Sequence, residues 1–229
     1  DTTSLEGTHA ELIAGNILDP LSLDEAFQDV KTVFHLAALV SIEPGKENLL
    51  YRVNVNGTKN VLNSSLNHGV EKFIYTSSIH ALARPPLGIP IDENQPFDTL
   101  NEAGPYDRTK ALASIEVLKA NQKGLHTVIL CPTGVLGPYD YRRSEMGEQI
   151  IEWMNKKVSF LVKGMFDWVD VRDVARAQVL ASQKGKSGGT YIIGGHQVSL
   201  MGIRSTVARL VNNRSVAITI PLPLALWAT

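Results

Sequence analysis

The sequence holds one cysteine in 229 residues, which excludes any intrachain disulfide. Cys131 stands in the apolar run Val128-Ile129-Leu130-Cys131, where a buried thiol acting as a small hydrophobe is the expected role. No apolar run reaches the ~20 residues of a membrane-spanning helix. The opening Asp1-Thr2-Thr3-Ser4 has neither the basic region nor the apolar core of a leader peptide. These absences give the expectation of a cytoplasmic protein with no membrane span. Charge of one sign is also missing, with 22 basic against 23 acidic residues, a formal −1, and no long block of either. The electrostatic footprint of a nucleic-acid or anionic-membrane partner is therefore absent. No repeat, no low-complexity segment and no metal-ligand set is read.

What is present is an ordinary globular composition, 44% hydrophobic and 20% charged, with enough chain for a sizeable core. Ala10-Glu11-Leu12-Ile13-Ala14 reads as a short strand, followed by a turn at residues 15–20 and a short helix through Asp24-Glu25-Ala26-Phe27 capped by Asp19 or Ser22. Val33-Phe34-His35-Leu36-Ala37-Ala38 and Lys72-Phe73-Ile74-Tyr75-Thr76-Ser77-Ser78 read as strands buried on both faces. The apolar stripe Leu49, Leu50, Val53, Gly57, Val61, Leu62 places a helix over about 47–67 between them. A loop with five prolines (Pro85, Pro86, Pro90, Pro96, Pro105) follows, long enough to imply that it covers something. After it come a helix opened by Tyr106, a strand at Thr127-Val128-Ile129-Leu130 and a helix at about 146–155. Trp168 is expected to start another helix, followed by a strand at Thr190-Tyr191-Ile192-Ile193 and a helix from Leu200 to Val211 capped by Ser199. Strands alternating with helices imply a parallel α/β sheet wound on both faces.

In such a sheet ligands bind at the carboxyl ends of the strands. Small or polar residues gather at those ends: Asn16, Ala37-Ala38, Ser77-Ser78 and Pro132-Thr133-Gly134. Tyr106 and Lys110 are one helical turn apart on one face. A fixed cation beside a phenol favours phenolate and brings it toward acid/base work; the plainer reading is a surface Tyr and Lys at helical spacing.

The segments Gly15-Asn16-Ile17-Leu18-Asp19, His35-Leu36-Ala37-Ala38, Asn54-Val55-Asn56-Gly57-Thr58, Thr76-Ser77-Ser78, Tyr106-Asp107-Arg108-Thr109-Lys110, Pro132-Thr133-Gly134-Val135-Leu136-Gly137-Pro138 and Val169-Asp170-Val171-Arg172-Asp173-Val174-Ala175 together resemble the extended short-chain dehydrogenases/reductases of the NAD-dependent epimerase/dehydratase superfamily. Within them the chain is most similar to the dihydroflavonol reductase and 3β-hydroxysteroid dehydrogenase branch. The resemblance implies a Rossmann-type doubly wound sheet binding NAD or NADP over residues 1–136 and 168–195, and a smaller substrate lobe over 137–167 and 196–229. It implies Tyr106 as general acid/base, Lys110 as the residue that lowers its pKa and holds the nicotinamide ribose, and Ser78 as hydrogen-bond partner of the substrate oxygen. Ser77 is expected to support the strand end. Asn16 and Ile17 match the adenine contacts, Leu36, Ala37 and Ala38 the turn that the dinucleotide approaches, and Pro132, Thr133, Gly134 and Val135 the segment beside the nicotinamide. Thr76 falls on the cofactor side, and Asn54 matches a helix residue holding the loop after His35. His80 is placed toward substrate, His35 in the core, and Asp170, Arg172 and Asp173 in a charge network at a helix start. A small-molecule substrate and a homodimer through the helices at about 47–67 and 106–121 complete the expectation.

Two departures stand out. Asn16 occupies a position where the family usually has Asp, so its amide oxygen accepts without charge assistance. The family's opening strand, glycine-rich turn and helix have no counterpart, since no GxxGxxG or GxGxxG precedes the first strand. The expectation is of a shortened form of a longer protein lacking its first βαβ unit, an inference that the apolar ending Leu224-Ala225-Leu226-Trp227-Ala228-Thr229 supports. Rival readings are a nucleotide-sugar epimerase or dehydratase using the same Ser-Tyr-Lys set, and a non-catalytic binding or regulatory protein on the same fold.

Overall fold

The computed structural model describes residues 5–41, 43–86, 88–213 and 216–220; Leu224–Thr229 lie outside them. The chain divides into two compact units, one of residues 9–133 and 173–193 and another of residues 1–8, 134–172 and 194–229. The divisions fall at 8/9, 133/134, 172/173 and 193/194, beside an expectation of 136/137, 167/168 and 195/196.

The first unit is built on a parallel sheet. Its strands β1 (Thr32–His35), β2 (Lys72–Thr76), β3 (His126–Pro132) and β7 (Gly189–Ile193) lie in the order β1-β2-β3-β7, with Phe73 opposite both Val33 and Thr127. The interior strands β2 and β3 are continuous apolar runs because both faces are covered. Phe73, Tyr75, Ile129 and Cys131 pack with Val61 and Leu62 of α2 (Thr58–Asn67) and Ala113 and Val117 of α3 (Pro105–Gln122). Ile74, Val128 and Leu130 point to the opposite face, against Ala177 and Ala181 of α5 (Val171–Lys184). The alternation is the period of two that a pleated strand imposes, and each of the buried Val, Leu, Ile and Phe side chains contributes roughly 1.5–3 kcal/mol. The outer edge of β7 is met by the proline-rich loop, where the Glu93 carboxylate accepts the Ile192 N–H at 3.0 Å.

Several expectations are corrected. Residues 10–14 form no strand, and Leu12 and Ile13 are exposed: a strand's amides need a paired neighbour, and none stands beside this segment among the described residues. β1 is short, and Phe34 is 42% exposed, so this strand is not buried on both faces; it is the edge of the sheet. The stretch 20–27 is two 3₁₀ turns, Pro20–Leu23 and Glu25–Phe27, the first capped by Asp19 accepting from Leu21 N. The helix over 47–67 is not uniform: α1 (Glu47–Leu50) passes into a π-helical segment, Tyr51–Gly57, before α2.

The second unit contains a sheet of β4 (Gly134–Leu136), β6 (Met165–Asp170) and β8 (His196–Ser199), a parallel pair of β5 (Val158–Val162) with β9 (Val216–Ile220), and helices α4 (Glu145–Asn155) and α6 (Leu200–Leu210). Trp168 starts no helix. It lies in β6, between β4 and β8, and helix α5 begins only at Val171, where Asp170 accepts the Arg172 N–H and Nε. Gly134 is required by close approach, since a Cβ there would stand 2.6 Å from Trp168 Cε3. Ser199 caps α6 as expected, accepting from Gly202 N.

Candidate active site

The carboxyl end of β2 and the first turns of α3 bring three residues together. Beyond Thr76 the chain turns through Ser77 and Ser78 into a 3₁₀ turn, Ile79–Ala81, which Ser78 caps by accepting the His80 N–H at 3.2 Å. Pro105, with its fixed φ, occupies the first position of α3, so Tyr106 and Lys110 follow one turn apart. The Ser78 side chain neighbours the Tyr106 hydroxyl and favours its ionised form. Lys110 is buried, its Nζ donating to Thr76 O at 2.6 Å and lying 4.6 Å from the centroid of the Tyr75 ring, a cation–π distance.

Burial dominates the electrostatics. It pushes the Tyr106 phenol up to about 12, the neighbouring Ser78 side chain working against it and the Asp107 carboxylate adding to it. Burial likewise pushes Lys110 down to about 8. The expected lowering of the phenol by Lys110 is not seen in this geometry, because the ammonium is engaged with the Thr76 carbonyl and the penalty for a buried phenolate is larger. The phenol here is a held proton donor, poised toward whatever oxygen meets Ser78 and Tyr106 together.

A network of hydroxyls and one amide fixes these groups. Ser114 donates to Lys110 O at 2.8 Å, so its partner at 2.7 Å, Ser77, donates to it; this ties the end of β2 to α3. Thr109 donates to Tyr106 O at 2.8 Å. Asn54, 1% exposed within the π-helical segment, donates to Thr109 Oγ1 at 3.1 Å and Leu39 O at 2.9 Å and accepts from Leu39 N at 2.7 Å. It latches the loop after β1 to α3, and a π-helical turn is a known way of aiming a side chain inward at a functional position. Asn54→Ala is expected to lower unfolding free energy by about 2–4 kcal/mol, since it strands both Leu39 backbone groups. Urea unfolding checks this, and an unchanged midpoint would contradict the latch.

Asn101, 4% exposed, donates to His80 O at 3.1 Å, and Arg108 donates to Asn101 O at 2.9 Å. The His80 side chain is 54% exposed, with Nδ1 3.8 Å from Asp107 Oδ2, and Arg84 lies 4.0 Å from the same oxygen. Burial raises the Asp107 pKa while His80, Arg84 and Arg108 oppose it. His35 belongs to the core: stacked on Tyr75 at 5.6 Å, it donates from Nε2 to Thr58 Oγ1 at 2.9 Å, because the Thr58 hydroxyl already donates to Asn54 O.

The remaining expected residues are placed as follows. Asn16 is exposed, its Oδ1 accepting from Leu18 N at 3.0 Å in an Asx turn that leaves the oxygen's second lone pair. Ile17 is seated against Gly57, where a Cβ would come within 2.6 Å of Ile17 Cδ1, and its carbonyl accepts from Asn60 at 2.8 Å. Leu36, Ala37 and Ala38 are exposed beyond β1. Pro132 closes β3 and Thr133 N donates to Ile193 O at 3.1 Å, while Gly134 and Val135 open β4 in the second unit. That unit also holds a cleft of about 630 Å³ lined by Val135, Leu136, Pro138, Arg143, Ile150 and Ile151 among others. Sequence reading missed Ser114, Thr109 and Asn101. Ser114, one turn beyond Lys110, was open to the spacing argument; Asn101 carries no local signal.

The model of the 3-beta hydroxysteroid dehydrogenase/isomerase family matches residues 2–195. The chain is 30% identical to sterol demethylase protein B of Methylococcus capsulatus, covering 96% of this chain and 67% of that protein. It is 32% identical to a putative dihydroflavonol 4-reductase of Synechocystis, over 97% of this chain and 66% of that protein. The crystal structure of gox2253 superposes with a TM-score of 0.88 at 32% identity, covering 99% of this chain and 70% of that one. The chain thus spans about two thirds of the length of the curated relatives named here.

Proposed function

Because the chain belongs to the 3-beta hydroxysteroid dehydrogenase/isomerase family, in the extended short-chain dehydrogenases/reductases, we propose that it is an NAD(P)-dependent oxidoreductase moving a hydride to or from the carbonyl or alcohol carbon of an apolar small molecule. The observation that carries this reading is the placement of Ser78, beyond the end of β2, beside Tyr106 in the first turn of α3, with Lys110 buried one turn away. The residues present fit a dinucleotide. Ala37 and Ala38 leave backbone open at the end of β1, and Asn54 holds that loop. Asn16 and Ile17 would hold the adenine end, Leu36 to Ala38 the middle, and Lys110, Thr76, Pro132 and Thr133 the nicotinamide end. The cofactor supplies or accepts the hydride.

This chain's residues do the rest. In reduction the Ser78 hydroxyl donates to the substrate oxygen and orients it, and Tyr106 Oη gives it a proton; in oxidation the same atoms act in reverse. Below about pH 8 Lys110 carries a charge, and its remaining N–H donors would hold the nicotinamide ribose hydroxyls. No helix among the described residues is long and apolar enough to cross a membrane. A homodimer through the helical stretch at about 47–67 and α3 belongs to the same proposal, with Leu112 and Ile115 half-buried on α3.

Fluorescence titration with NADH and NADPH tests the reading. Saturable binding of either, followed by turnover that consumes the cofactor in stoichiometric amount, is the expected result. Turnover with the cofactor retained would favour the epimerase or dehydratase reading, and binding of neither would overturn the proposal.

A further inference from the structure

The cleft of the second unit is not uniformly apolar, and the loop that closes it is built rather than loose. Asp140 accepts from Ser144 N with both carboxylate oxygens at 2.9 Å and from Ser144 Oγ at 2.8 Å. Its own carbonyl accepts from Arg143 N at 3.2 Å. Any Cβ at position 147 would stand 2.1 Å from Asp140 Oδ2, so this knot requires Gly147. The tight turn leaves the residues on either side of it, Tyr139 and Arg143, at φ of 74° and 55°, a left-handed conformation that side chains resist and that gathers at ligand sites.

The charges of the knot are unequal in their satisfaction. The Asp140 carboxylate is taken up by three hydrogen bonds at the start of α4, where the helix dipole also favours it. Arg143 is exposed, lines the cleft, and has no carboxylate within ion-pair distance among the described residues. Val135, Leu136, Pro138, Ile150, Ile151 and Val171 line the same cleft. A volume of about 630 Å³ is that of a small-molecule site.

We infer that this cleft takes the apolar body of a ligand bearing one anionic group, and that Arg143 is the residue that selects for that group. A guanidinium offers a paired set of donors to a planar or tetrahedral anion, and a charge-assisted pair beside apolar walls is stronger than the same pair in water. The inference goes beyond the proposed function by naming a ligand class for the second unit. It does not rest on that function, because the binding itself requires no turnover.

The test uses two dyes of the same aromatic body, anilinonaphthalene sulfonate, which is anionic, and phenylnaphthylamine, which is not, titrated into the purified protein without cofactor. Arg143→Gln is expected to weaken the sulfonate about tenfold and leave the neutral dye within about twofold. Arg143→Lys should keep part of the preference, and Arg142→Gln should leave both dyes unchanged. Ile151→Trp, at a partly exposed position lining the cleft, should weaken both. An unaltered ratio of the two affinities in Arg143→Gln would overturn the inference, as would unchanged binding of both dyes by Ile151→Trp. Failure of turnover in the unaltered protein with intact dye selectivity would instead count against the oxidoreductase reading alone.

Discussion

Replacing Tyr106 by Phe is expected to slow turnover by about 10²–10⁴-fold, the usual contribution of a positioned proton donor, while NADH or NADPH affinity stays within a few-fold. The substitution removes one hydroxyl and keeps the ring, so the turn of α3 and the Thr109 bond to the Tyr106 carbonyl persist. What is lost is the proton delivered beside Ser78. The pH dependence follows from burial of both groups. Tyr106 is pushed up to about 12 and stays protonated through neutrality, so it does not limit reduction there. Lys110 is pushed down to about 8, so its charge is present below that value and lost above it. Reduction is therefore expected to decline above about pH 8, and Lys110→Arg, which keeps its charge, should move the decline upward. Steady-state and single-turnover rates across pH check both statements. Near-normal turnover in the Tyr106→Phe variant would remove the mechanism.

The second large effect concerns stability. His35 is buried in the sheet and pushed down to about 3 from an ordinary 6.5, by desolvation first and by the Lys110 charge second. The unfolded chain thus binds a proton between pH 6.5 and 3 that the folded chain refuses. With more protons on the unfolded side, stability falls as pH falls through that window and is fully present above it. A tenfold difference in proton affinity between the folded and unfolded chains is worth roughly 1.4 kcal/mol. Several kcal/mol are therefore at stake, a large share of the ~5–15 kcal/mol typical of a domain. His35→Phe should flatten the dependence. Phe keeps the ring between Phe73 and Tyr75, and Thr58 still donates to Asn54 O. Urea midpoints at pH 7, 5 and 4 for the two proteins decide it; parallel slopes would mean that other groups control acid unfolding.

How far residues alone reveal this protein depends on whether the deciding interaction is local. The runs Phe73-Ile74-Tyr75 and Val128-Ile129-Leu130 identify β2 and β3 because a strand covered on both faces has no alternative to continuous apolar character. The one-turn spacing of Tyr106 and Lys110 and the Ser199 cap of α6 are equally local, and the structure contains both. Ala10-Glu11-Leu12-Ile13-Ala14 and Trp168-Val169-Asp170 show the opposite. The first has strand composition and no paired neighbour among the described residues; the second sits next to helical sequence yet pairs with β4 and β8. A strand is completed by residues distant in sequence, so composition does not decide where one forms.

The same division runs through the candidate site. By itself the sequence determined the α/β class, the family, and which side chains gather at the end of β2 and the start of α3, because helical periodicity and strand termini are short-range properties. Tertiary structure alone decided that Asn54 is an interior latch, that Asn101 ties the His80 turn to Arg108, and that the Tyr106 phenol rises while Lys110 falls. Hydrogen-bond partners and desolvation depend on what the fold packs around a group, and no neighbour in the chain reports that in advance.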